Sequence, residues 1–63
     1  MTPYEALELS KKFPENRTVP KRIYDGFQQA TETNKRKYEN IIEGLYVTAV
    51  QDEDFILLNK YFG

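Results

Sequence analysis

The sequence predicts a mainly α protein with a short N-terminal helix, a long central helix and a short C-terminal helix. Three observations carry this: a helix-start signature at residues 2–5, one apolar stripe shared by residues 23 to 45, and three consecutive acids ahead of the apolar segment 55–62. The chain has 63 residues and forms a single small domain spanning 1–63. A domain of this size hides only about 60% of the surface its unfolded chain exposes, so its core is thin.

Thr2-Pro3-Tyr4-Glu5 has the layout of a capping box. The threonine hydroxyl can accept from a free amide, proline suits the first helical position, and the glutamate stands three residues after the cap. Ala6, Leu9 and Phe13 then share one face, and the helix is expected to end near Lys12, because Pro14 disfavours helical backbone at Phe13. Residues 14–18 have turn composition, and Thr18 is the expected cap of the next helix.

From Pro20 to Tyr46 one register persists for roughly six turns. Ile23, Phe27, Ala30, Asn34, Tyr38, Ile41 and Leu45 project within about 80° of one another. This favours one rod of about 40 Å at 1.5 Å per residue. The alternative is two helices with a bend at residues 31–34, where Thr31-Glu32-Thr33-Asn34 has mediocre helix propensity. An unbroken rod offers more apolar stripe than the chain ends can cover, and part of it is expected to meet another molecule. Asn34 is the polar exception in the stripe, able to fix register in a helix pair or to mark a bend. Gly26 and Gly44 lie beside the stripe and fit either close approach by a neighbour or tolerated irregularity.

Asp52, Glu53 and Asp54 suit a helix N-terminus and Lys60 a C-terminus, so residues 52–62 read as a helix. Phe55, Leu58 and Phe62 form one face and Leu57 with Tyr61 a second. The alternative is an α+β fold in which residues 45–50 and 55–62 form a C-terminal β-hairpin around the acidic turn.

Composition excludes several function classes. The chain has no Cys, His or Trp, so it offers no disulfide, thiolate nucleophile or imidazole base, and the usual zinc ligand sets are absent. Glu39 and Glu43 stand one helical turn apart without a nucleophile or a glycine-rich phosphate loop nearby, and read as a solvated face. No enzyme, metal site or cofactor is expected. Neither a run of about 20 apolar residues nor a secretory signal is present, so the reading is a soluble cytoplasmic protein without a membrane partner.

The formal charge of −1 hides an asymmetry, because residues 11–37 hold eight of the nine basic side chains against only Glu15, Asp25 and Glu32. The leading expectation is a non-enzymatic helical module that binds a larger protein as an inhibitor or adaptor and forms a homo-oligomer. Tyr24, Tyr38, Ile42, Phe55, Leu57, Tyr61 and Phe62 are its candidate interface residues, aromatic anchors being typical of interface hot spots. The alternative is a small DNA- or RNA-binding regulator using Lys21, Arg22, Lys35, Arg36 and Lys37, two basic clusters each beside a tyrosine. A winged helix-turn-helix version takes a helix opening at Thr33 as reader and the C-terminal hairpin as wing. A weaker third reading is a small-ligand site at an oligomer interface.

Overall fold

The computed structural model describes residues 1–63 as four helices without strands: α1 (Pro3–Ser10), α2 (Val19–Gln29), α3 (Glu32–Thr48) and α4 (Asp52–Phe62). The capping box forms as its sequence implies, with Thr2 Oγ1 accepting from the Glu5 amide at 3.2 Å and Glu5 Oε1 accepting from the Thr2 amide at 2.9 Å. Those two bonds satisfy otherwise free amides at the start of α1. Residues 11–18 continue as turns rather than helix, and Phe13 leaves them to enter the core. Thr18 stands at the cap of α2 but caps nothing with its side chain; its hydroxyl donates to Asn16 Oδ1 instead.

The single central rod does not form. Ala30 and Thr31 both adopt extended backbone, with ψ of 152° and 165°. The Thr31 hydroxyl accepts from the Asn34 amide and opens a new helix. The longest dimension of the molecule is 31 Å, too short for a rod of about 40 Å. The physical reason lies in the stripe itself. Folding back as an αα-hairpin turns Ile23 and Phe27 of α2 toward the Tyr38 side of α3, so the apolar residues cover one another. Each fully buried large side chain contributes about 1.5–3 kcal/mol, which outweighs one interrupted turn whose amides Thr31 and water can serve.

α1 and α4 each pack against both α2 and α3 and not against one another, so the hairpin lies between them. Ala6 and Leu9 from α1, Phe13, Val19 and Ile23, then Tyr38, Ile41 and Leu45 from α3 and Leu58 from α4 form the core. The β-hairpin alternative is overturned as well, because residues 52–62 are helical. The Asp54 carboxylate accepts from the Val50 and Gln51 amides at 3.0 and 3.1 Å, and this supplies the start of α4. An acidic triplet in a helical first turn stabilises that end through the dipole, an advantage a hairpin turn lacks.

Candidate functional site: an aromatic groove between three helices

Helical spacing aims a few residues from each of three elements at one place. Tyr24, Phe27 and Gln28 stand at i, i+3 and i+4 on α2, and Glu39, Ile42 and Glu43 repeat that spacing on α3. Tyr61 and Phe62, in the last turn of α4, close the third side. Together they line an open groove of about 430 Å³. Its rings support one another: Tyr24 lies 5.7 Å from Tyr61 and 6.0 Å edge-on from Phe62, centroid to centroid. Phe27 in turn meets the buried Tyr38 edge-on at 6.4 Å, which ties the floor of the groove to the core.

The charged side chains lining the groove are Glu39 and Glu43, both exposed. The ion pairs of the molecule are Lys11 with Glu8, Arg17 with Asp54, and Lys21 with Asp25, so neither glutamate has a cation within 4.0 Å. Lys35 and Lys60 lie near the margins, over the rings of Phe27 at 5.6 Å and Tyr61 at 5.5 Å, and neither lines the groove. Nowhere do three acidic side chains come together in a way that could hold a metal ion.

Of the candidate interface residues, the structure brings Tyr24, Ile42, Tyr61 and Phe62 together in this groove. Tyr38 is different. It is fully buried and offers no surface, and its hydroxyl donates to the Met1 carbonyl at 3.1 Å. Burial, and secondarily the nearby Glu5 charge, pushes its phenol pKa up. The stripe marks Tyr38 as apolar-facing, but only the fold-back decides that this face points inward. Leu57 is half-buried against the core, and Phe55 lies about two turns along α4 from Phe62, beside Tyr46 at 6.4 Å.

The basic residues 21–22 and 35–37 do not form one stripe. Lys21 lies about 13 Å along α2 before the Ala30 corner, whereas Lys35 follows within about one turn of it. Lys21 is paired with Asp25 at 3.0 Å, and that hydrogen bond raises its pKa. Arg22 shares a shallow depression with Glu5, Glu8 and Lys12, Arg36 sits beside Glu32 and Thr33, and Lys37 is exposed. The bend that the winged helix-turn-helix version requires is present, but the wing is not.

A second cluster escapes the sequence. Arg17 reaches from the loop before α2 to the Asp54 carboxylate, and its guanidinium also donates to the Pro14 and Glu53 carbonyls. The Asp54 side chain is only 5% exposed. The Arg17 hydrogen bond first, then the Val50 and Gln51 amides, lower its pKa from 3.8 to about 2. Separated by 37 positions, the two residues give no local pattern to read. The role of this pair is to join the 11–18 loop to the start of α4.

The chain matches no protein-family model, no curated protein and no solved structure.

Proposed function

We propose that this chain is a non-enzymatic protein-interaction module that acts as an inhibitor or adaptor by binding a larger protein through the groove between α2, α3 and α4. The observation that supports this reading is the convergence of Tyr24, Ile42, Tyr61 and Phe62, from three separate helices, on one open aromatic surface. A thin-cored domain gains stability when a partner removes such a surface from water. The groove presents no nucleophile beside a base, so binding suits its chemistry better than catalysis. The expected homo-oligomer rested on the apolar stripe together with the two-sided apolar C-terminal segment; the hairpin covers much of that stripe internally, and the groove reading does not depend on self-association. No helix is long and apolar enough to cross a membrane.

A photo-crosslinking amino acid in place of Tyr61, with a control in place of Lys37, tests the proposal in the native cell. An adduct of defined mass formed from position 61, lost on adding Ile42→Asp and absent from position 37, supports it. Equal labelling from both positions, or none from position 61, overturns it.

A further inference from the structure

Resting on that reading, we infer that the groove takes an amphipathic helix of a partner protein, with basic residues flanking its apolar anchors. The all-helical fold has no sheet edge at which an extended peptide could add a strand. An apolar channel bounded by helices instead suits a helix that inserts anchors at i and i+3 or i+4.

Charge then selects the sign of the partner. The charged residues lining the groove are Glu39 and Glu43, without ion-pair partners. They stand four residues apart on α3, about 6 Å along its axis. Lysines or arginines at i and i+4 of a docked helix repeat at that same spacing, whereas a polyproline II segment repeats at about 9 Å. Burying aromatic area supplies affinity, and the carboxylates reject acidic partners by leaving like charges facing one another. Lys35 and Lys60 lie over the rings of Phe27 and Tyr61 and do not line the groove, so its lining charge stays negative.

The test uses the full chain, labelled with ¹⁵N, titrated with three synthetic peptides: a leucine/lysine amphipathic helix, a leucine/glutamate helix of the same apolar pattern, and a proline-rich peptide. The leucine/lysine helix is expected to shift amide resonances of Tyr24, Phe27, Ile42, Glu43, Tyr61 and Phe62. Changing both Glu39→Gln and Glu43→Gln should weaken it about five-fold, the size of two partly exposed ion pairs. These exposed positions leave the core intact, so unchanged shift dispersion confirms the variant is folded. Equal affinity for the variant, shifts mapping away from the groove, or no binding by the leucine/lysine helix overturns the inference. Preference of the groove for the acidic or proline-rich peptide, or concentration-dependent shifts of the chain alone that reveal a second copy there, overturns it too. In those cases a position-61 adduct with a larger protein would keep the interaction-module reading standing, and its absence would remove both.

Discussion

The two interior glycines behave oppositely at the level of single atoms. A Cβ at Gly26 would stand 2.9 Å from the Tyr38 hydroxyl and 3.2 Å from a ring carbon, and that ring is fully buried. A Cβ at Gly44 meets nothing within 4 Å. Gly44→Ala is therefore expected to raise stability by up to about 1 kcal/mol through helix propensity alone. Gly26→Ala should lower it, because overpacking costs about 1–3 kcal/mol and the helical gain offsets only part of that. Urea unfolding of both variants checks the opposite signs. Both glycines lie beside the same stripe, so the sequence does not tell them apart; only the pairing of α2 with α3 brings Tyr38 over one of them.

At the scale of elements, the break between α2 and α3 hangs on Thr31. Its hydroxyl caps the Asn34 amide, so Thr31→Ala should cost about 0.5–2 kcal/mol in denaturant unfolding, with Thr31→Ser close to the parent. The start of α4 depends on a carboxylate instead. Asp54 has a depressed pKa of about 2 against 3.8, so its stabilisation is present above about pH 4 and is lost as the pH falls toward 2. Asp54→Asn should lower stability at neutral pH and flatten that acid limb, as followed by circular dichroism between pH 2 and 7. Both ends were partly legible. Thr31-Glu32-Thr33-Asn34 has weak helix propensity that allows a bend, but the apolar periodicity runs straight through it and does not say that the helix breaks there. The acidic triplet did announce α4, while the Arg17 contact that anchors it spans 37 positions and leaves no periodicity.

For the whole molecule, the stripe from Ile23 to Leu45 was legible and its use was not. Periodicity reports which side of a helix is apolar; it is silent on whether that side meets another molecule or the chain's own next helix. The chain meets itself, and this explains both why Tyr38 is core and why Tyr24, Ile42, Tyr61 and Phe62 remain at a shared groove. The measurement that tests this most directly is a nuclear Overhauser spectrum of the isolated chain, recorded at two concentrations. Ring-to-ring cross-peaks between Phe27 and Tyr38 and between Tyr24 and Tyr61 are predicted, with intensities per molecule unchanged on dilution, from centroid separations of 6.4 and 5.7 Å. Continuous helical amide connectivities through Ala30, Thr31 and Glu32 without the Phe27–Tyr38 cross-peak would contradict it, since a straight helix holds those rings about 16 Å apart.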